Sequence, residues 1–514
     1  MELERIHRLE RFLLFLMIIA LPINCLPKKF SISTFGQSLT GYFFLIALAL
    51  LIYEFIKYRF YIPKRAIQFI LIYLIWQCVC LAIGLYTYQY DYLLTIDQIP
   101  KLEWLLLKFK EYGIILPEMS SIKWWLFGRT VKGIVVLENV IFFSMFYVYH
   151  LYRFNYRKAF EDFRKAITIL VIMMSVYSFV ELCWLKLNVK WAEEMLITIN
   201  PFLYDVEITN TWWPPLLWRG QLRSLTREPS FFGILSIMIL PFLWSYLFEK
   251  KNNMWSCLLL FYYCLMIFAT NARTAIVVTL VQLLLLIVGV LLSKNMQYVK
   301  RVIVIIVITA LAFGVNLINF KGLIQNQGDG SSFEFMDSGD YLDRNVNSIA
   351  NTTSRSNGAR WSNLLANIYV VQDHPVFGVG NGLKDAYMYD YILEIGKNNK
   401  EVENWSRDML EKGVLKSGYP ALNKYADVAV KNGIPGLLLY LLPVLLILVY
   451  VFKYRKKIND IYVILSTISM LGLLAAQLSN AGFAECNGFI WGLMSCYIAS
   501  QKYGDVVDNE DKIR

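Results

Sequence analysis

Apolar runs recur along the chain near residues 12–26, 36–56, 66–88, 131–151, 166–187, 229–248, 254–271, 272–293, 302–318, 433–452, 460–478 and 483–500. Each approaches the ~20 residues a helix needs to cross the hydrocarbon core of a bilayer. The pattern therefore predicts an all-α polytopic membrane protein with about twelve transmembrane helices. The runs at 254–271 and 272–293 are almost continuous, so their combined length requires a tight turn at Asn271-Ala272-Arg273. The first run, Phe12 to Leu26, lacks a small-residue cleavage site and reads as an anchor.

The polar intervals set an orientation. Basic clusters precede the first run (Arg5, Arg8, Arg11) and follow the second (Lys57, Arg59, Lys64, Arg65) and fourth (Arg153, Arg157, Lys158, Arg164, Lys165). Others follow the sixth (Lys250, Lys251), the eighth (Lys294, Lys300, Arg301) and the tenth (Lys453, Arg455, Lys456, Lys457). All fall on one side of an alternating topology, so the positive-inside rule places both termini in the cytoplasm. Three longer segments, near 89–130, 188–228 and 319–432, are then external, and in the last of them acidic groups outnumber basic ones. The expected organisation is a membrane bundle over 1–318, an external and partly helical substrate-binding loop over 319–432, and a second bundle with a cytoplasmic tail over 433–514. Residues 326–358 are polar and rich in Gly, Ser and Asn, as in a mobile loop. Lys101 to Lys110 reads as an amphipathic helix lying on the membrane surface, beside an interfacial pair, Trp124-Trp125.

Composition sharpens this. With 57% hydrophobic and 17% charged residues, a soluble chain of this length is excluded. The net charge of +11 resides in the loop clusters described above, so it is topological and argues against a nucleic-acid partner. The eight cysteines sit mostly in apolar runs without metal-ligand spacing, and Cys78-x-Cys80 reads as helix packing. No His/Cys metal cluster and no Asp-x-Asp nucleotide-sugar site is placed, so no metal and no cofactor are expected.

Candidate chemistry gathers in the external segments. Arg273 stands at the junction of two spans, where a charge is costly unless paired or facing water. Leu225-Thr226-Arg227-Glu228-Pro229-Ser230 opens the sixth span; Glu228 and Pro229 are good helix-start residues, and Arg219 and Arg223 add cations nearby. The planar fork of arginine matches a diphosphate with paired charge-assisted hydrogen bonds. Arg360 precedes Asp373-His374-Pro375-Val376-Phe377-Gly378-Val379-Gly380 across a helix-compatible stretch. His374 is the sole external histidine and either takes a sugar hydroxyl proton or merely shapes the turn. Trp191, Trp212, Trp213 and Trp218 suit sugar stacking, but headgroup anchoring is the favoured reading for any one of them. Glu138, Glu181 and Glu485, in or near spans, are functional pointers or partners of neighbouring helices.

The Arg360 and His-Pro-x-x-Gly-x-Gly spacing, the Asn271-Ala272-Arg273-Thr274 turn and the Arg227-Glu228-Pro229-Ser230 string together resemble the superfamily of O-antigen ligases and Wzy-type polysaccharide polymerases, over roughly residues 220–440. Ala272 departs from the Ser common in that turn. The resemblance implies a metal-independent glycosyltransferase of the C type on the outer side of the bacterial cytoplasmic membrane. Its substrates are glycans on undecaprenyl diphosphate, with Arg227, Arg273, Arg360 and Arg223 holding the diphosphate and Trp213 and Trp218 stacking on sugars. Membrane lipids, a chain-length regulator and a flippase are the implied partners. Ligases carry a His-Asn pair before a Gly-x-x-Gly helix start; before Gly433-Ile434-Pro435-Gly436 this chain has Leu422-Asn423. That departure favours a polymerase and leaves the base open among His374, Glu228 and Asp427. A ligase is the nearer alternative. A lipid-linked oligosaccharide flippase or other transporter is the alternative of another class, although a transporter is expected to show paired halves and broken midplane helices.

Overall fold

Long apolar runs have no solvent to hydrogen-bond their backbones inside a bilayer, so they fold as helices, and no β-strand occurs among the described residues. The computed structural model describes residues 2–31, 36–58, 64–206, 214–249, 254–293, 295–318, 355–453, 460–480 and 482–503. Trp213 and most of the Gly/Ser/Asn-rich stretch lie outside them. The helices are α1 (Glu2–Ala20), α2 (Leu39–Tyr58), α3 (Lys64–Tyr86), α4 (Pro100–Glu111), α5 (Glu118–Tyr152), α6 (Tyr156–Leu187) and α7 (Lys190–Leu203). There follow α8 (Pro229–Leu247), α9 (Met254–Ala269), α10 (Arg273–Ser293) and α11 (Met296–Asn316). After the loop stretch come α12 (Arg355–Asp373), α13 (Lys384–Ile395), α14 (Lys400–Lys412), α15 (Lys424–Lys453), α16 (Ile461–Ala476) and α17 (Ala484–Tyr503). Eight of these are long and apolar enough to cross a membrane, and α9 and α16 are shorter apolar helices. The molecule is an all-α polytopic membrane protein.

The bundle forms around α8, which is apolar on every side and almost wholly buried. It packs against α6, α9, α10 and α16. On the far flank, Gly488 and Gly492 bring α17 onto α5: a Cβ at Gly492 would stand 2.7 Å from the Met145 carbonyl oxygen. Small residues four apart permit this backbone approach, as helices in lipid use to gain dispersion contacts. Outward positions such as Ile56, Leu292 and Val449 remain exposed, which suits a lipid surround.

Two elements differ from the sequence expectation. Helix α1 begins well before its apolar run, because Ile6, Glu10, Leu13 and Leu14 already form a buried stripe. The amphipathic helix α4 does not simply lie on a membrane surface. Leu102 enters a second hydrophobic core, in which Ile99, Ile122 and Leu126 of the first external segment pack with Ala366, Val370, Tyr387, Met388 and Val402 of the loop region. Trp104 and Leu107 of α4 stay exposed.

The second core is fastened to the bundle by a helix interruption. Gly433 has φ +70° and ψ 179°, which breaks α15 into a half before and a half after it. The break releases the carbonyls of residues 430–432, and the predicted glycine turn supplies their donors. Val379 N–H donates to Val430 O at 2.8 Å and Gly380 N–H to Lys431 O at 3.1 Å, while Ile434 N–H donates to Pro375 O at 2.8 Å. Trp76 Nε1 donates to Asn432 O at 2.9 Å. The approach admits no side chain at Gly433, where a Cβ would overlap the Val376 carbonyl. Gly433→Ala combines this overlap with an unfavourable φ and is expected to lower stability by about 3 kcal/mol or more. Gly128→Ala, with open space around it, should be neutral or slightly stabilising. Thermal unfolding in detergent checks both.

Candidate functional site

Residues 214–228 have no regular structure of their own and are held by their neighbours. Leu222 N–H donates to Ala269 O at 3.0 Å, and Asn271 Nδ2 donates to Gly220 O at 3.1 Å, stitching the segment to the α9–α10 turn. Glu181, buried on α6, accepts the backbone N–H groups of Arg223 and Ser224 at 3.1 and 2.8 Å. The Arg223 guanidinium donates to the Pro215 and Leu216 carbonyls, each at 2.8 Å, and stacks on Tyr204. Those bonds commit Arg223 to folding its own segment. Trp218 is half-buried, and its Nε1 donates to Gln221 Oε1 at 2.9 Å.

Arg227 lies just before α8, its guanidinium 4.1 Å from the centre of the Phe231 ring. Burial pulls its pKa below the usual arginine value, with the Glu228 carboxylate opposing; an arginine so placed is still a cation near neutrality. Glu228 is the N-cap residue of α8 and accepts a hydrogen bond from Ser230 Oγ.

Arg273 opens α10, and its Nη1 donates to Asn357 Oδ1 at 3.1 Å. One turn further along α12, Arg360 Nη1 donates to Ser479 O at 2.8 Å. The same stretch after α16 receives Asn423 Nδ2 at Leu478 O, 3.0 Å, and Lys424 N–H at Gln477 O, 2.8 Å. Phe231, beneath Arg227, packs its ring against Phe483 with 5.2 Å between centres. Arg360 thus touches the turn after α16 directly, Arg273 is joined to it through Asn357 of α12, and Arg227 through Phe231, so three separated stretches of sequence converge there. Sequence reasoning did not single out this turn, although Ser479, Asn480 and Gly482 between two apolar runs are a turn signal.

His374 is not part of that gathering. Fourteen residues of helix and turn separate it from Arg360, about 21 Å of helical rise. Its ring meets Tyr387 edge-on at 5.1 Å, and its carbonyl accepts the Gly378 N–H at 3.1 Å. Its backbone belongs to the turn that clasps α15, and its imidazole packs on Tyr387.

Beside the arginines lies a buried ionic network. Asp427 accepts Lys384 Nζ and Lys431 Nζ, each at 2.8 Å, and Glu138 accepts Lys424 Nζ at 3.0 Å and Lys431 Nζ at 3.1 Å. Three ammonium groups face two carboxylates. Glu138 ends a π-turn, Ile134–Glu138, within α5; such a turn shifts the helix register and is frequent at functional sites. Asp385, next in line, accepts the Tyr419 N–H at 2.9 Å; burial raises its pKa, with Lys384 opposing. Arg129, Thr130, Glu138, Asp385, Lys416 and Ser417 line a polar cleft of about 450 Å³. Lys384, Lys424 and Lys431 were missed by sequence reasoning, which placed them in the external, partly helical loop without singling them out. The available signal was Asp427 and Lys431 at i,i+4 spacing immediately before a Gly-x-x-Gly helix start.

The fold is that of a polytopic membrane protein in which arginines and a buried ionic network lie around the turn after α16. Residues 255–441 match the family model described as O-antigen ligase. The matched stretch includes Arg273, Arg360 and the three network lysines. It supports a ligase/polymerase-type role, that of a membrane glycosyltransferase-like enzyme. Comparison with curated proteins found no match.

Removing one member of a buried charge network strands the others. Asp427→Asn is expected to cost about 3 kcal/mol, and pairing it with Lys431→Met should recover part of that loss. A double-mutant cycle of unfolding free energies measures the coupling.

Proposed function

We propose that the protein polymerises undecaprenyl-diphosphate-linked oligosaccharide repeat units into a surface polysaccharide. The growing glycan moves from its lipid diphosphate to the next lipid-linked unit. The observation that carries this reading is the gathering of Arg227, Arg273 and Arg360 about one turn. The acceptor hydroxyl attacks the anomeric carbon, the bond from that carbon to the diphosphate oxygen breaks, and the lipid diphosphate departs with the electron pair. Guanidinium groups fixed in a partly buried site stabilise the charge gathering on the leaving group without reorganising. Diphosphate leaves readily, so a modest base suffices for the hydroxyl proton. Glu228, beside Arg227, takes that role in preference to the distant His374. The polar cleft bounded by Glu138 and Asp385 offers hydroxyl-binding walls for the acceptor glycan.

The site would face away from the cytoplasm, in a bacterial inner membrane with both termini inside. Leu422, preceding Asn423 near Arg360, supplies no imidazole where the ligase pattern has one, which favours polymerisation over transfer to a different acceptor. Metal is not needed for this chemistry, because the arginines provide the charge.

Arg273→Gln and Arg360→Gln should each slow polymerisation about 100-fold, the equivalent of about 3 kcal/mol in the barrier, in protein that still inserts. His374→Gln should leave the rate nearly unchanged. Cells carrying the arginine variants should accumulate single lipid-linked repeats, and purified protein should lengthen such repeats. Transfer to another acceptor without lengthening would instead mark a ligase, and full-length polymer from both arginine variants counts against the reading.

A further inference from the structure

The end of the bundle that carries the N terminus holds a second cluster, which the glycan chemistry does not use. His7 and Glu10 sit three residues apart on one face of α1. The last turn of α2 adds Glu54 and the last turn of α5 adds His150. One donor atom from each of the four lies within 4.8 Å of all the others. Glu54 is 1% exposed and meets His7 Nε2 at 2.8 Å and His150 Nε2 at 3.0 Å. Glu10 is 0% exposed, and neither of its carboxylate oxygens has a hydrogen-bond partner among the described residues.

That last fact is the physical anomaly. A carboxylate withdrawn from water without a donor is costly, and a second carboxylate beside it raises the cost. A divalent cation among these groups removes both penalties, because two carboxylates balance its charge and two neutral imidazoles complete four ligands. We propose that His7, Glu10, Glu54 and His150 bind one divalent transition-metal ion of the zinc class, which clamps α1 to α2 and α5. The mixed imidazole and carboxylate set argues against magnesium and calcium, which prefer oxygen alone. Zinc bonds of about 2.1 Å place tetrahedral ligand atoms about 3.4 Å apart, so the cluster closes on the ion by small rotamer adjustments. The His7 side chain, 45% exposed, gives the ion its way in. Spacing along the chain contains no metal motif, which is why the sequence led to the opposite expectation; the ligands meet only when three helices converge.

The test uses the full chain in detergent, stripped with chelator and reloaded with Zn²⁺ or Co²⁺. Elemental analysis should find about one zinc per chain, and the cobalt form should show the visible bands of tetrahedral Co²⁺. Glu10→Gln and His150→Ala should each weaken zinc binding by more than about 10-fold, while His374→Ala should not. Failure of the reloaded wild-type protein to retain zinc or show those bands overturns the proposal. So does unchanged zinc affinity in Glu10→Gln and His150→Ala. Should either variant fail to insert, the wild-type cobalt spectrum decides. None of these readouts depends on glycan transfer.

Discussion

Three carbonyl oxygens loosened by a helix break hold the polar end of this molecule in place. Where Gly433 interrupts α15, the carbonyls of Val430, Lys431 and Asn432 need donors, and in a low-dielectric setting they cannot be left without them. Val379, Gly380 and Trp76 provide those donors. The break therefore compels the turn at the end of α12 to dock, and docking that turn positions α12. With α12 in place, Arg360 reaches the 477–483 turn and Asn357 meets Arg273.

The same break explains how five charged groups can share a buried position. The half of α15 before Gly433 carries Lys424, Asp427 and Lys431, and it is sheltered by the loop helices and the second core. Enclosed there, each charge has an opposite partner within 3.1 Å. The Lys424 backbone joins this network to the arginine turn through Gln477. Charges fixed in this way act on a ligand with little reorganisation.

Much of this was legible in the sequence. The positions of the helices follow from apolar run length, which is a strong constraint in a bilayer. The arginines stood out because a guanidinium beside a membrane span needs a reason to be there. Two other features carry weak local signals. The second core joins residues 94–126 to residues 359–430, and no pattern within either stretch shows that the other will cover it. The ionic network is similarly non-local, because Glu138 and Lys431 are brought together only by folding. His374 attracted attention as an external titratable group. Its surroundings of Tyr387 and the glycine turn show that the Pro-x-x-Gly-x-Gly motif serves backbone geometry, and the imidazole is packed along with it.

Helix α12 is pinned at both ends, by Arg360 on Ser479 at its start and by the glycine turn at its finish. One residue inserted between those anchors would swing one end about 100° relative to the other. Either the guanidinium would lose its carbonyl or the turn would miss the gap in α15. The rod thus works as a keyed shaft: side chains along it can be exchanged, but its length in residues is fixed by the two locks it must enter together.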